Sequence, residues 1–142
     1  MLIKKKIVIL IMGLPGSGKT TLAQELKKKL NATWINADKV RKKYNNWNFS
    51  KNGVIKQARR MEKISKISKK KITIVDFVCP YEKGRKIFKP DYLIWMDTIK
   101  KGRFSTFDKS FEKPRKFNFI VKKKKAKFYS KKIINDLKKV YG

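Results

Sequence analysis

An apolar segment that runs directly into a glycine-rich loop constrains the fold of this chain more than any other feature. Residues 7–12 (Ile-Val-Ile-Leu-Ile-Met) form a continuous, mostly β-branched run, which is typical of a parallel strand buried on both faces. The next eight residues, 13–20, fit the pattern G-x-x-x-x-G-K-[ST] in full. A helical pattern with one apolar face follows over residues 20–30. Strand, loop and helix in this order predict a phosphate-binding loop in an α/β fold.

The residue types in this loop suit the binding of a nucleoside triphosphate. Glycines let backbone N–H groups converge on phosphate oxygens, and the following helix adds the positive end of its dipole. We expect Lys19 to reach the β- and γ-phosphates and to be catalytic, and the Thr20 hydroxyl to bind Mg²⁺. The predicted ATP-binding residues are Gly13, Leu14, Pro15, Gly16, Ser17, Gly18, Lys19, Thr20 and Thr21. ATP and Mg²⁺ are therefore the predicted cofactors.

Strand-like and helix-like segments alternate along the rest of the chain. Further strands are predicted over residues 32–36, 71–78, 92–96 and 117–121, and helices over about 52–68, 81–88 and 127–141. This alternation predicts an α/β fold of the P-loop NTPase type, a three-layer sandwich with a parallel sheet of about five strands. We expect one P-loop kinase domain over residues 1–142, with the polar, irregular segment 98–115 as a lid loop.

The composition excludes several classes of protein. The lone Cys79 cannot form an internal disulfide, and without histidine a zinc site of the usual Cys/His kind cannot be built. No apolar run approaches the roughly 20 residues that a membrane span needs. The sequence therefore predicts a cytoplasmic protein without a membrane partner.

The net charge of +30 has two interpretations. Lys supplies 34 of the 40 basic residues, and Lys, Ile, Asn and Phe are the residues that an AT-rich genome favours, so mutational drift accounts for much of the excess. The alternative is a nucleic-acid partner, because clustered cations gain affinity by releasing counterions. Nucleic-acid binders usually rely on Arg, whereas the lysines here are spread along the whole chain. We therefore expect a small anionic substrate, with nucleic acid less favoured and the oligomeric state open, a homodimer included.

Five segments in the same order resemble the adenylylsulfate kinase family of P-loop kinases. The resemblance spans about residues 7–120 and rests on the loop and on residues 36–41, the pairs 49–50 and 59–60, residues 76–85 and the lid residues 103–114. In the family these correspond to an Asp-Gly-Asp-Asn-x-x-Arg segment, a Phe-Ser pair, paired arginines, a Ser-Phe-x-Ser-Pro-Tyr-Arg-x-x-Arg segment and a lid with Phe, Asp, Glu and a final Pro. The resemblance implies ATP-dependent phosphorylation of the 3′-hydroxyl of adenylylsulfate, a step of sulfate assimilation.

The resemblance also implies roles for charged residues outside the loop. Asp38 would accept the proton of the attacking hydroxyl and contact the substrate, although its position also suits the N-cap of a short helix. Arg41 and Arg59 would bind the phosphosulfate oxygens. The alternative for the two arginines is ordinary surface pairing with Glu62 or solvent.

Aromatic and amide side chains complete the implied substrate site. Phe49 and Phe104 would stack on the two faces of an adenine, or else serve as packing residues. Gln57 stands where the family has an Asn that contacts the substrate.

Besides Gln57, three positions depart from the family pattern. Asn36 replaces the first carboxylate of the Asp-Gly-Asp segment, and Val54 stands where a substrate-binding Arg is expected. Asp76 replaces a Ser at the end of the third strand, where P-loop enzymes often keep an Asp that organises Mg²⁺. We therefore expect Asp76 to act on the metal indirectly.

Two other functions remain open. The first is a P-loop kinase for another hydroxyl, on a nucleoside, a small metabolite or a polynucleotide 5′-end, which the loss of an arginine at Val54 favours. The second is a non-catalytic, ATP-dependent nucleic-acid-binding module. The presence of Lys19, Thr20 and Asp38 together favours an enzyme, since a binding module needs no base.

Overall fold

The secondary structure alternates between strands and helices, as the sequence predicts. A computed structural model describes residues 3–103 and 105–142. In chain order it contains β1 (Ile7–Met12), α1 (Lys19–Leu30), β2 (Thr33–Asn36), α2 (Ala37–Tyr44), α3 (Lys51–Ile67), β3 (Ile72–Asp76), α4 (Glu82–Phe88), β4 (Tyr92–Met96), a 3₁₀ turn (Ser105–Phe107), β5 (Phe119–Val121) and α5 (Ala126–Tyr141).

All five strands form one parallel sheet with the order β2-β3-β1-β4-β5. β1 lies in the middle, with Ile9 paired to Ile74 on one side and to Tyr92 on the other. Because the strands are parallel, the segments that follow β1, β2 and β3 leave the sheet at the same edge. In open α/β sheets this carboxyl edge is where ligands bind.

Helices cover both faces of the sheet and close two apolar cores. On one face, α1 and α5 pack on the sheet through side chains such as Leu22, Leu26 and Ile133, all fully buried. On the other face, α2, α3 and α4 contribute Val40, Met61 and Phe88 among others. Burying one such side chain stabilises the fold by about 1.5–3 kcal/mol. The predicted three-layer P-loop sandwich is confirmed.

Within the described residues, no helix has the length and apolar character needed to cross a membrane.

Three strands are shorter than the sequence predicts, and β2 is so by one residue, since it begins at Thr33. β3 ends at Asp76, and only the Phe77 N–H continues the ladder, donating to Ile11 O. β5 begins at Phe119, because Asn118 N donates to Leu93 O at 2.9 Å but Leu93 N donates to the side-chain Oδ1 of Asn118, at 2.7 Å, instead of to a backbone carbonyl. A side-chain oxygen thus takes the place of a backbone acceptor at the start of the strand. The apolar pattern of the sequence does not reveal such a hydrogen bond.

Candidate active site

A cavity of about 860 Å³ opens at the carboxyl edge of the sheet. It lies between the phosphate-binding loop, the start of α2, the end of β3 and the lid. The sequence-predicted site residues that line it are Pro15, Gly16, Gly18, Lys19, Thr20, Thr21, Asp38, Arg41, Phe49, Gln57 and Asp76. Gly13, Leu14 and Ser17 are buried and do not line it. The predicted residue Phe104 lies outside the described residues.

The loop between β1 and α1 has the backbone that close approach to phosphate requires. Gly16 and Gly18 have φ of +87° and +99°, a conformation that side-chain-bearing residues rarely adopt. A Cβ at position 16 would stand 3.2 Å from the Cβ of Arg103, so the lid packs directly on this glycine. The loop is closed by a hydrogen bond from Ser17 N to Leu14 O at 3.1 Å. These features form a concave backbone surface at the N-terminus of α1.

Lys19 is held inside this loop by its own chain. Its Nζ donates to Leu14 O at 3.0 Å. Burial lowers the pKa of Lys19 to about 8, and the carboxylates of Asp76 and Asp38 oppose that shift. A buried ammonium that donates to a neutral carbonyl has a strong electrostatic preference for an anion.

Asp38 does not cap α2, which corrects one of the two interpretations drawn from the sequence. The cap is Asn36, whose Oδ1 accepts from Lys39 N at 3.1 Å. The reason is geometric: an N-cap side chain bonds the N–H two or three residues on, and α2 begins at Ala37 rather than after Asp38. Asp38 instead stands in the first helical turn, exposed on the cavity wall.

A buried carboxylate lies beside this helix start. β2 and β3 pair Asn36 with Asp76, and Asn36 Nδ2 donates to both Asp76 oxygens, at 3.1 and 3.3 Å. Trp34 Nε1 donates to Asp76 Oδ2 at 2.5 Å. Burial raises the pKa of Asp76, whereas the hydrogen bonds from Trp34 and Asn36 and the charge of Lys19 lower it. Only 2% of the Asp76 surface is exposed, and that residue lines the cavity.

Arg41 organises the wall of the cavity opposite the phosphate-binding loop. It is buried, and its Nη1 donates to the carbonyl oxygens of Asn46 and Asn48, at 3.2 and 3.3 Å. Its guanidinium carbon lies 4.5 Å from the ring centroid of Phe49, which meets Phe107 edge-on at 6.2 Å. Burial lowers the pKa of Arg41. The wall therefore combines a fixed cation with a flat aromatic surface.

Arg59 does not lie at this cavity, which corrects the placement expected from the sequence. It is exposed and borders a separate groove together with Lys63, Lys83 and Lys86. In α3 the buried face is set by residues such as Val54 and Ala58. Because consecutive helical residues are rotated by about 100°, position 59 faces away from that set.

The next residue, Arg60, is connected to the cavity through Gln57. Arg60 Nη1 donates to Gln57 Oε1 at 3.0 Å, and its guanidinium lies on the ring of Tyr44 at 4.5 Å. Gln57 is buried and its Nε2 donates to Ala37 O at 3.5 Å. This chain of contacts links α3 to the first residue of α2, which carries Asp38 in its first turn.

The lid is attached to both sides of the cavity. Arg103 N donates to Pro15 O at 2.8 Å, so the lid contacts the phosphate-binding loop through its backbone. Farther along, Glu112 N donates to Pro80 O at 2.7 Å and Arg85 Nη2 donates to Glu112 O at 2.7 Å. The lid is therefore tied to the phosphate-binding loop on one side and to Pro80 and α4 on the other.

Sequence reasoning did not single out Trp47 and Lys124, which line the cavity, or Trp34, which contacts the lining residue Asp76 without lining the cavity itself. Lys124 belongs to the basic run 122–125, which suggests a solvated surface in the sequence. In the structure it stands next to Gly18, with its Cγ 3.7 Å from where a Cβ of that glycine would be. No local signal distinguishes it from the other lysines of the run.

The donor set at the cavity suits Mg²⁺. Among the described residues there is no group of three or more His, Cys, Asp or Glu side chains that would enclose a metal. Mg²⁺ is usually held by one or two carboxylates together with substrate phosphates and water, rather than by an all-protein cage. The Thr20 hydroxyl and the Asp76 carboxylate, which line one cavity, supply oxygen atoms of this kind.

The family model of adenylylsulphate kinase matches residues 5–93. None of the curated proteins compared with the sequence matches it.

Solved structures share the fold of the chain. The APS kinase of Mycobacterium tuberculosis in complex with AMPPNP and APS superposes with a TM-score of 0.82 at 16% identity, over 94% of this chain and 98% of that one. A hexameric APS kinase from Thiobacillus denitrificans has a TM-score of 0.76 at 20% identity, over 97% of this chain and 30% of that one. A gluconokinase from Sinorhizobium meliloti has a TM-score of 0.71 at 12% identity, over 96% and 94% of the two chains.

Proposed function

The chain belongs to the adenylylsulphate kinase family and is a P-loop phosphotransferase that acts on a hydroxyl group, and we propose that its acceptor is the 3′-hydroxyl of adenylylsulphate. The products would be ADP and 3′-phosphoadenylylsulphate, within sulfate assimilation. The observation that carries the proposal is the composition of one cavity. The phosphate-binding loop with Lys19 forms one wall, Asp38 stands beside it, and Arg41 with Phe49 forms the other wall.

The two walls suit the two substrates. The concave loop and Lys19 would bind the β- and γ-phosphates of ATP, since converging N–H groups and a buried cation favour phosphate oxygens. The flat ring of Phe49 would stack on the adenine of the acceptor, and Arg41, fixed by two backbone carbonyls, would attract its anionic phosphosulfate.

Phosphoryl transfer then requires positioning and charge neutralisation more than covalent chemistry by the protein. The acceptor oxygen forms a bond to the γ-phosphorus, the bond from that phosphorus to the β–γ bridging oxygen breaks, and ADP leaves. The Asp38 carboxylate would take the proton of the attacking hydroxyl. Lys19 would neutralise charge on the transferring group.

A divalent cation fits beside these groups. When bound, Mg²⁺ supplies charge neutralisation at the β- and γ-phosphates. The Thr20 hydroxyl would hold it directly, and Asp76 would orient its water ligands. Both residues border the cavity, and the donors on Asp76 keep its oxygens in a fixed orientation.

A kinase for another hydroxyl is the second candidate. Val54 lines the cavity with an apolar side chain, where the family resemblance leads one to expect an arginine. The likeness in fold extends to a gluconokinase and to a shikimate kinase from Aquifex aeolicus, so this architecture is found with more than one acceptor. An acceptor with less negative charge would suit such a wall.

The test is an ADP-release assay over a panel of hydroxyl acceptors: adenylylsulphate, adenosine, gluconate, shikimate and an oligonucleotide with a free 5′-hydroxyl. We expect adenylylsulphate to give the highest kcat/KM, with the phosphorylated product identified by mass. Lys19→Ala provides the background rate. A higher kcat/KM with any other acceptor would replace adenylylsulphate by that acceptor, and ADP release that needs no acceptor would contradict a kinase function.

A further inference from the structure

Asp76 is, among the described residues, the only acidic side chain of the cavity wall that is fully enclosed. It is 2% exposed and forms three hydrogen bonds, one from Trp34 and two from Asn36. Both donor groups belong to β2, the neighbouring strand, where alternate residues 34 and 36 lie on the same face of the sheet. Two side chains at this spacing thus converge on one carboxylate.

Asn36 is suited to this position in a way that a carboxylate is not. Its Oδ1 caps α2 by accepting from Lys39 N, while its Nδ2 donates to Asp76. An Asp at position 36 would also cap the helix, but it would bring a second carboxylate against a buried one with no donor between them. The amide therefore connects the helix that carries Asp38 to the strand that carries Asp76.

We propose that Trp34 and Asn36 are positioning residues that orient Asp76 as the cation-organising carboxylate of the nucleotide site. The inference rests on the proposed function only in requiring that the cavity bind a nucleotide with a divalent cation. Trp34 fixes one carboxylate oxygen, and Asn36 spans both, so the group cannot rotate away from the cavity. Lys19, across the same space, feels the charge of Asp76 more strongly than that of Asp38.

The first experiment replaces the indole donor. Trp34→Phe keeps an aromatic ring and removes the N–H, and Mn²⁺ binding to the protein–ADP complex is measured by electron spin resonance. We expect the Mn²⁺ affinity to fall roughly 10–100-fold, as is typical when an outer partner of a metal-organising group is removed. ADP affinity without the cation stays unchanged. Trp95→Phe is the matched control, since Trp95 is a buried tryptophan of β4 that does not line the cavity.

The second experiment exchanges the carboxylate and the amide. Asn36→Asp should lower the melting temperature strongly, and Asp76→Asn should leave folding intact but weaken Mn²⁺ binding. The double variant N36D/D76N should recover the melting temperature. Its amide at 76 can donate to the carboxylate at 36 and accept from Trp34, while the carboxylate at 36 still caps α2.

The outcomes separate the inference from the proposed function. Unchanged Mn²⁺ affinity in Trp34→Phe, or an equal loss in Trp95→Phe, would overturn the role of Trp34. A double variant no more stable than Asn36→Asp alone would overturn the paired hydrogen-bond arrangement. Neither measurement uses an acceptor, so failure of adenylylsulphate as a substrate would leave the inference standing. Absence of ADP binding by the unaltered protein would overturn both.

Discussion

Asp38→Asn is the substitution that most directly tests the chemistry of the cavity, because the structure separates the charge of Asp38 from any capping role. Asn36 caps α2, and Asp38 is exposed in the first turn. The amide retains the size of the side chain and loses only its negative charge and its basicity. We expect folding and ATP binding to persist while phosphoryl transfer falls sharply.

The expected contributions of Asp38 to stability and to the rate of phosphoryl transfer differ enough in magnitude to be measured separately. Losing a negative charge in the first turn of a helix costs about 0.3–1 kcal/mol through the helix dipole, which lowers the melting temperature by about 1–4 °C in a domain of this size. Losing a general base costs about 10²–10⁴-fold in rate, or roughly 3–5 kcal/mol of barrier. The kinetic effect should therefore exceed the effect on stability several-fold.

The assay compares kcat, ATP affinity and melting temperature for the unaltered protein and Asp38→Asn, using adenylylsulphate or the best acceptor of the panel. Glu82→Gln is the matched control, because Glu82 is also an acidic residue in the first turn of a helix but lies outside the cavity. It should reproduce the small loss of stability without the loss of rate.

Two results would refute the reasoning on Asp38. A fall in kcat of less than about threefold is too small for a general base. A large drop in melting temperature in Asp38→Asn but not in Glu82→Gln would mean that Asp38 has a structural role that its exposure and the Asn36 cap do not reveal.

Two further predictions concern the cationic residues of the cavity. Lys19→Met should abolish ATP binding but raise the melting temperature at pH 7 by a few degrees, because the Lys19 pKa of about 8 means that burial of its charge destabilises the folded protein below that pH. In the unaltered protein, ATP affinity should fall as the pH rises above about 8, because Lys19 must then take up a proton when ATP binds. Calorimetry in buffers of different ionisation enthalpy measures that proton uptake. Arg41→Ala should raise the KM of the acceptor about 10–100-fold with little change in the KM of ATP. Arg59→Ala should change either KM by no more than about twofold, as expected for an exposed side chain outside the cavity. Steady-state kinetics with each substrate varied in turn measures both effects, and equal effects of the two variants would contradict the placement of Arg59.

The fold was predictable because its signals are local. The apolar runs 7–12 and 92–96 became β1 and β4 with the predicted bounds, since a buried parallel strand needs little more than a continuous apolar stretch. The phosphate-binding loop was equally local, eight residues between a strand and a helix. Strand ends were harder, as at Phe119, because a single side-chain hydrogen bond from a neighbouring strand decides where the ladder starts.

The substrate side of the cavity was less predictable because its contacts join distant segments. Asn36 and Asp76 are 40 residues apart, and only the register of two parallel strands brings them together. The match of the paired arginines pointed to Arg59, although the helical periodicity of α3 places that residue on the outer face. Trp34 had no visible signal, since it donates to a carboxylate that the sequence does not show to be adjacent.

The central place of β1 in the sheet has a consequence for how the protein is made. β1 is translated before both of its neighbouring strands. About 60 residues separate Met12, at its end, from Ile72, where its partner strand β3 begins. At roughly 5–20 residues per second, the ribosome extends the chain for several seconds while the most apolar strand has no partner. Lys4, Lys5 and Lys6, placed directly before that run, have the charge and position of residues that discourage aggregation of nascent strands. The phosphate-binding loop, which follows β1 directly, is thus synthesised before the two strands that flank β1 in the sheet.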